Sequence, residues 1–327
     1  DGLSDAKSGG TNFTNSIIVG HQTTGTLNAA EYNTAIGYES LDALTTGDSN
    51  TAVGFASLSA NTEGGRNTAI GLRSLQTNTT GNFNVGVGYH SMRLNTTGIR
   101  NIAIGNNAYD NADEENDNLA IGYDALGGAI DGGEYNVAIG NYSLDANTTG
   151  DNNTAVGYDA LTANTTGYQN TSIGIGSLQT NTSGFRNVAV GDFSLRDNTG
   201  NYNTAIGSFS LYQNTTGRYN TGLGILSLAA TTTSWYNTGI GYGALGDANR
   251  TADTDGYNVA LGVNAGNTGT NDITTGNKNT LLGSSTAASA AAGTNQSVIG
   301  YGTSGQANNS VTLGNADVTA VYMAQDS

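Results

Sequence analysis

The chain has no cysteine and no proline among its 327 residues. The lack of cysteine excludes a disulfide scaffold, a thiol nucleophile and a zinc–thiolate site. Without proline, the turns must depend on the 49 glycines and on the many asparagines. Such a composition suits tight turns between short strands of β-branched residues.

Positive charge is scarce as well. Lys and Arg total 10 against 26 Asp and Glu, which gives a formal net charge of -16. Binding to phosphates needs clustered basic side chains, so we expect no nucleic-acid partner. No apolar run approaches the roughly 20 residues of a membrane helix, so we expect no membrane insertion. The opening Asp1-Gly2-Leu3 has no initiator Met and suggests a fragment of a longer chain.

Catalytic groups are equally hard to assemble. The two histidines, His21 and His90, lie far apart in the sequence, and neither has the partners of a catalytic triad around it. The glycines of segment 239–246 imitate a dinucleotide fingerprint, but every repeat carries a weaker version and no helix is predicted after it. We expect no catalytic residues, no cofactor and no enzymatic activity.

The dominant feature is a motif Asn-x-(Ala/Gly)-(Ile/Val/Leu)-Gly. Ten of its twelve intervals are 17 residues, one is 18 and one is 16. A unit this short must stack on its neighbours to bury a hydrophobic face, which predicts an all-β fold, a parallel β-roll or β-solenoid of 17-residue coils. The motif asparagines are Asn33, Asn50, Asn67, Asn84, Asn101, Asn118, Asn136, Asn153, Asn170, Asn187, Asn203, Asn220 and Asn237.

Positions are counted from the motif Asn as zero. Position +3 is always a large aliphatic residue, and position +8 is almost always Leu. Because side chains alternate along a strand, we expect +1 and +3 to point into the coil and +8 to close the core from a second segment. The coil core is therefore predicted to include Ile36, Leu41, Val53, Leu58, Ile70, Leu75, Val156 and Leu161.

Positions +2 and +4 are Ala or Gly in nearly every repeat. Small residues allow close approach, so we expect this face to pack against the same face of other copies around an axis. The alternative is that the +4 glycine only ends the strand in a bend. The residues predicted for the axis of a homotrimer are Ala35, Gly37, Ala52, Gly54, Ala69, Gly71, Ala155, Gly157, Ala205 and Gly207.

The repeat divides the chain into four parts. Residues 1–14 form a lead-in, and 15–283 carry the 17-residue repeat, with a glycine at +14 expected to turn the chain through a positive φ. Residues 284–295 form an Ala/Ser-rich break, either a short helix or an irregular loop. Residues 296–327 carry a shorter repeat, with motifs expected 13 residues apart.

Several side chains are candidates for surface contacts. Aromatic and Arg residues gather just before the motif Asn, which predicts a ladder that either holds sugar rings or only stabilises the coil. Two acidic stretches offer oxygen ligands to calcium, but they lack the spacing of known calcium loops, so metal binding stays open. The candidates are Asp113, Glu114, Glu115, Trp235, Tyr236, Asp253 and Asp255.

Two phrases carry a family resemblance. Asn-Thr-Ala-Ile-Gly-Tyr-x-Ser-Leu at 33–41 and Asn-Ser-Val-Thr-Leu-Gly-Asn at 309–315 resemble the head repeats of YadA-like trimeric autotransporter adhesins and the related shafts of phage tail fibres. The resemblance covers about residues 15–320. It implies a left-handed parallel β-roll, with three chains packed along a common axis. Segment 311–323 also looks like the stretch that precedes an endosialidase-type chaperone in phage fibres.

Our leading hypothesis is a structural shaft and host-recognition segment of a phage tail fibre. Its partners would be two further copies of itself and a receptor or glycan on the bacterial surface, and its place would be the virion. The alternative is the head of a trimeric adhesin on a bacterial cell surface. A third hypothesis is a single-chain solenoid that binds ice or glycans through a flat threonine array. Against it, the +1 threonines are interrupted and are expected to face inward.

Overall fold

The computed structural model describes residues 6–8, 13–20, 28–247, 256–269 and 271–321. It confirms the predicted fold class: the described residues are all-β, without a helix, and form a 17-residue parallel β-solenoid of about 17 turns. No helix that could span a membrane occurs among them. His21, Asp253 and Asp255 lie outside the described residues.

The chain divides into two compact units, residues 1–169 (unit 1) and 170–327 (unit 2). In unit 1, strands β5 to β12 pair in parallel, each with the strand of the next coil. The strands are β1 (Ala6–Ser8), β2 (Phe13–Thr14), β3 (Ile17–Val19), β4 (Ala30–Glu31), β5 (Thr34–Ile36), β6 (Thr51–Val53), β7 (Thr68–Ile70), β8 (Val85–Val87), β9 (Ile102–Ile104), β10 (Leu119–Ile121), β11 (Val137–Ile139) and β12 (Thr154–Val156).

Unit 2 repeats the same arrangement, with parallel pairing from β13 to β21. Its strands are β13 (Thr171–Ile173), β14 (Val188–Val190), β15 (Thr204–Ile206), β16 (Thr221–Leu223), β17 (Thr238–Ile240), β18 (Val259–Leu261), β19 (Thr280–Leu282), β20 (Gln296–Ile299) and β21 (Ser310–Leu313).

The first coil of unit 1 is closed by a strand of opposite direction. β1 pairs antiparallel with β3, and β3 pairs in parallel with β5. β1 therefore covers a sheet edge that would otherwise present unpaired N–H and C=O groups. The register places Ile18 opposite Ala35. Ser16, and not Asn15, thus occupies the motif position, and its Oγ accepts the N–H of Asn33 at 2.8 Å.

The strands face the opposite way from the prediction. Position +2 is fully buried inside the coil, as in Ala35, whereas Ile36 at +3 is 49% exposed and Ile70 is 41% exposed. The predicted roles are therefore wrong for Ile36, Val53, Ile70 and Val156, which point outward. They are also wrong for Ala35, Ala52, Ala69, Ala155 and Ala205, which are enclosed by their own chain and cannot line an axis between chains.

The +4 glycines form the bend at the end of each strand. Their φ lies in a region that favours glycine, 138° at Gly37 and 135° at Gly71. A Cβ at Gly71 would also overlap the carbonyl oxygen of Gly88 in the next coil. The alternative interpretation, a bend, is therefore confirmed for Gly37, Gly54, Gly71, Gly157 and Gly207, and their place at a trimer axis stays a prediction.

Leucine at +8 is the one large core residue of most coils. Leu41, Leu58, Leu75 and Leu161 are fully buried, which confirms this part of the predicted core. Each packs in a narrow interior beside Ala at +2 and Ser or Ala at +7. Such an interior has little room for further large side chains, although Leu44 is also buried in the coil of Leu41. Because side chains alternate along the strand and +2 points inward, the +3 aliphatic residues lie outside.

One coil of unit 2 shows that the total side-chain volume in the core is maintained from coil to coil. Position +8 there is Gly266, which leaves a space in the core. Leu281, at the +2 position that is Ala, Gly or Ser in the coils from Asn33 to Asn258, fills this space together with Leu245. A Cβ at Gly266 would lie 3.0 Å from Leu281 Cδ1 and 2.6 Å from Leu245 Cδ2. In that next coil, position +8 is Ala287. Large and small residues have exchanged places while the core stays filled.

Buried asparagines form a continuous ladder along each unit. In unit 1, Asn67 Oδ1 accepts the N–H of Asn84 at 2.9 Å, and its Nδ2 donates to the Gly81 carbonyl at 2.8 Å. The same pair of bonds recurs from coil to coil. The +14 glycines, such as Gly81, lie where these amides converge, and their φ is not positive, contrary to the prediction. Glycine is required at these positions because a Cβ would overlap the neighbouring amide side chains, such as that of Asn78 at Gly81.

A second amide ladder runs at position +11. Asn78 Nδ2 donates to Asn61 Oδ1, and Asn95 Nδ2 donates to Asn78 Oδ1, each at 2.7 Å. The next residue in the row is Ala112, so the buried Asn95 Oδ1 has no partner in the structure. Tyr109 replaces leucine in that coil, and its hydroxyl accepts a hydrogen bond from Asn118 at 2.8 Å. Burial raises the Tyr109 pKa well above its ordinary value.

The repeat persists further towards the C terminus than predicted. Residues 284–295 complete a regular 17-residue coil, because β19 pairs in register with β20, Thr280 opposite Ser297. Position +7 of this coil is Thr286, which is buried. The last described coil is shorter: Gln296 lies opposite Ser310, a spacing of 14 residues instead of the expected 13.

Replacing Asn67 by Ala should destabilise the fold strongly. The change would leave the buried N–H of Asn84 without its partner and would remove one of the two amide donors to the Gly81 carbonyl, which keeps Asn78 Nδ2. A buried unsatisfied group costs about 1–3 kcal/mol and a lost hydrogen bond about 1 kcal/mol, so we expect a loss of about 2–4 kcal/mol in the free energy of unfolding. Urea denaturation followed by circular dichroism measures it.

The matched control is Thr80→Ala, at an exposed position of the same coil. It should change the free energy of unfolding by less than about 0.5 kcal/mol. Equal stability of the two variants would show that the asparagine ladder does not hold the coils together.

Candidate interaction surface

The outward side chains at +1 and +3 form the outer stripe of each unit. Adjacent strands pair without offset, for example Ile36 with Val53 and Val53 with Ile70. Successive coils are about 4.8 Å apart, so neighbouring side chains of the stripe are in contact range. Position +1 is Thr, Val, Ile or Leu in every coil from Asn33 to Asn279, and +3 is always Ile, Val or Leu. The stripe carries no charge.

Exposed hydrophobic residues concentrate around this stripe. In the described part of unit 1, fifteen large hydrophobic side chains are exposed, and fourteen occupy positions -1, +1, +3 or +5, with Tyr168 as the exception. Apolar patches of this extent are uncommon on monomeric proteins and usually mark an interaction site. The fourteen are Ile17, Tyr32, Ile36, Tyr38, Phe55, Ile70, Leu72, Phe83, Tyr89, Ile102, Ile104, Tyr123, Tyr135 and Tyr158.

The row at +5 borders the stripe and was missed from the sequence. In the coils from Asn33 to Asn279 it carries aromatic or aliphatic residues in most coils, Asn or Asp in three and Ser in two. The Asx side chains accept a backbone N–H of the preceding coil, as Asn141 Oδ1 does from Tyr123 at 2.9 Å. An inward position would not tolerate both Tyr and Asn. Position +5 is expected on the same face as +3, because the two are separated by an even number of residues. Its variation between Tyr and Asn is therefore the sequence signal that this face points outward.

The predicted aromatic ladder is present in unit 2. Tyr202, Tyr219, Tyr236 and Tyr257 stack with ring centroids 4.9–5.0 Å apart and nearly parallel planes. Tyr236 has one ring against each of its faces. Sugar rings stack on aromatic faces, so the inner rings of this ladder offer only their edges. The ladder therefore supports the coil-stabilising interpretation.

Arginine side chains bind across neighbouring coils. The guanidinium of Arg218 lies 5.5 Å from the ring centroid of Trp235, and that of Arg66 lies 5.1 Å from Phe83. Arg100 forms a bidentate pair with Asp117, and these hydrogen bonds raise the Arg100 pKa and lower the Asp117 pKa. These arginine side chains therefore act as ties, contacts that connect one coil to the next. Trp235, proposed as a surface contact, is half-buried in such a tie.

The acidic loop of unit 1 surrounds a hollow of about 510 Å³. Asp113 and Glu114 are exposed there, as expected for surface contacts. Glu115 is only 6% exposed, and its carboxylate accepts backbone N–H groups from Asp113, Glu114 and Gly132 at 2.9–3.3 Å. This carboxylate shapes the loop and is not a free contact. Among the described residues, no three acidic, His or Cys side chains converge to hold a metal ion.

His90 is also part of the coil surface. Its ring stacks on Tyr89 with centroids 3.8 Å apart, and burial lowers its pKa despite the nearby Asp110. Its Nε2 has no hydrogen-bond partner among the described residues.

The chain matches no protein-family model and no curated protein at a significant level.

The tyrosine ladder yields a stability prediction. Tyr236→Ala removes two stacking contacts, whereas Tyr242→Ala removes a +5 residue that has no ring neighbour among the described residues. Aromatic pairs contribute about 0.5–1.5 kcal/mol each, so Tyr236→Ala should cost about 1–3 kcal/mol and Tyr242→Ala clearly less. Urea unfolding measures the free energies, and near-ultraviolet circular dichroism reports the stack. A larger loss for Tyr242→Ala would contradict the structural role of the ladder.

Proposed function

We propose that this chain is a non-enzymatic structural segment of a bacteriophage tail fibre, in which three copies associate through their outer stripes and carry host-recognition elements to the bacterial surface. The observation that carries the proposal is the row of exposed Ile, Val and Leu at +3. The motif resemblance to phage fibre shafts supports the viral setting. The proposed location is the virion.

The partner that covers the outer stripe is inferred from the regular spacing of the stripe. Each unit presents the same aliphatic row, coil after coil, at one spacing. A second copy in parallel orientation presents a row of identical spacing, so every coil meets an equivalent coil. Cyclic association is the common way for identical chains to bury one self-complementary face. A threefold axis would enclose the +3 side chains on all sides.

Energy and charge both favour this association. Fully burying an aliphatic side chain of this size stabilises by about 1.5–3 kcal/mol, and the +3 residues are already half-covered, so each adds a fraction of that. Ile104 and Ile206, for example, are 39% and 40% exposed in the single chain. The net charge of -16 opposes self-association. Because the stripe is uncharged, the acidic side chains remain outside the contact, where water and salt screen them.

The alternative setting is the head of a trimeric adhesin on a bacterial surface, which would use the same stripe. The genomic neighbourhood separates the two settings. Virion genes beside the coding sequence support the fibre, and a downstream membrane-anchor domain supports the adhesin.

One observation favours a second candidate function, ice binding by a single-chain solenoid. The +1 threonines were expected to face inward, but Thr34, Thr51 and Thr68 point outward in register on three consecutive strands. A flat threonine array of this kind suits an ice-binding face on a single-chain solenoid. A thermal-hysteresis assay tests it, and activity in a monomeric chain would replace the fibre proposal.

The self-association is tested by placing charges on the stripe. In the double variant Ile36→Lys with Ile70→Lys, the coil should remain folded, because both side chains are exposed in the single chain. The oligomer should dissociate, since charges would be buried at the contact. Light scattering gives the mass and circular dichroism the fold. We expect three chains for the natural sequence and one for the variant.

The control is Thr46→Lys with Thr80→Lys, which adds the same charge to the same two coils at exposed positions away from the stripe. It should keep the mass of three chains. A natural chain that is folded and monomeric would refute the proposed association. An unchanged oligomer in the Ile double variant would show that a different face is used.

A further inference from the structure

Two glycines in one coil open a recess on the surface of unit 2. Positions +6 and +9 carry long side chains in several coils, such as Arg73 and Gln76. In the coil that begins at Asn237 they are Gly243 and Gly246. The resulting recess has a volume of about 310 Å³, the lower end of the range for small-ligand sites.

The recess is walled by the neighbouring coils. Leu226 occupies position +6 of the coil before, and Asn264 and Asn267 occupy +6 and +9 of the coil after. Asn267 Nδ2 donates to the Gly243 carbonyl at 3.1 Å, which fixes the orientation of this carboxamide at the floor. A Cβ at Gly246 would lie 2.9 Å from the same Nδ2. The glycines and the asparagines are therefore fitted to each other.

The rim combines an aromatic ring with acceptor and donor groups. Tyr242 is 51% exposed and, unlike Tyr236, has no ring stacked on it among the described residues. Asp247 adds a carboxylate, and each asparagine side chain provides both a carbonyl acceptor and N–H donors. An open aromatic face beside a few polar groups is suited to a ligand with an apolar C–H face and hydroxyl groups at its edge.

Charge narrows the ligand class. Among the described residues, Asp247 is the one charged residue that lines the recess, and none of the lining residues is Lys, Arg or His. A phosphate, sulfate or acidic sugar would be repelled by this carboxylate and would find no cation among the described lining residues. One carboxylate is also too few for a cation site. We infer that this recess binds one neutral sugar residue, a hexose or N-acetylhexosamine, with Tyr242 against the ring and Asp247, Asn264 and Asn267 at its hydroxyl or amide groups.

Such a site would deepen the proposed recognition role and rests on it for its biological setting. Sugar binding itself requires only unit 2. The two proposals can therefore fail separately, provided that the oligomeric mass is measured on the same samples.

The test uses saturation-transfer difference NMR on the full chain with methyl glycosides of glucose, galactose, mannose and N-acetylglucosamine, plus sialic acid as the acidic comparison. We expect at least one neutral glycoside to bind and sialic acid not to bind. Tyr242→Ala should weaken binding about tenfold or more, because it removes the stacking surface. Asp247→Ala should also weaken binding.

The matched control is Tyr158→Ala, which removes a +5 tyrosine of unit 1 that is 50% exposed and should leave affinity unchanged. Circular dichroism and light scattering confirm the fold and mass of each variant. The inference is overturned if no neutral glycoside binds, if sialic acid binds better, or if Tyr242→Ala retains full affinity. Sugar binding by a folded monomer would uphold this site and refute the fibre association.

Discussion

The buried asparagine at the start of each coil is the interaction on which the other features depend. Its side chain accepts the N–H of the next motif residue and donates to the carbonyl of the +14 glycine, as Asn67 does towards Asn84 and Gly81. One side chain thereby joins the beginning of a strand to the turn that precedes the next one. Because an unmade buried hydrogen bond is costly, this requirement fixes the register of the turns. The accepting residue at +14 is glycine in most coils and is Glu115 or Ser234 in two of them.

The same ladder limits what the interior can hold. Amides at positions 0 and +11 and hydroxyls at +7 occupy much of the cross-section, which in most coils leaves room for one leucine and one small residue. The coil also places non-glycine residues at positive φ, such as Leu58 at 50° and Arg66 at 59°, at a cost of about 1–2 kcal/mol each. A single turn could not sustain this strain, whereas stacking repeats the compensating hydrogen bonds at every level.

The sequence allowed prediction of the repeat, the parallel strands, the leucine row and the tyrosine ladder. Each of these follows from a residue type recurring at a fixed phase. The inward face was misassigned because size was taken as the mark of burial. Side chains alternate between the two faces of a strand, so one face carries Asn33, Ala35 and Gly37 and the other carries Thr34 and Ile36. The alternation alone allows either face to point inward. Hydrogen bonding decides, because a strictly recurring Asn with two partners per coil must be inside. The recess at Gly243 was invisible, since it arises from three coils together.

Inward and outward positions consequently vary under different constraints. A change at an inward position must be compensated at once, as the exchange between Gly266 and Leu281 shows. Rows +5, +6 and +9 carry aromatic, charged, amide or glycine residues without altering the pairing of the strands. A solenoid of this kind can therefore acquire a binding feature in one coil without loss of the repeat. For this reason we infer a site at a local departure in an outward row, Gly243 with Gly246, and not at the recurring motif.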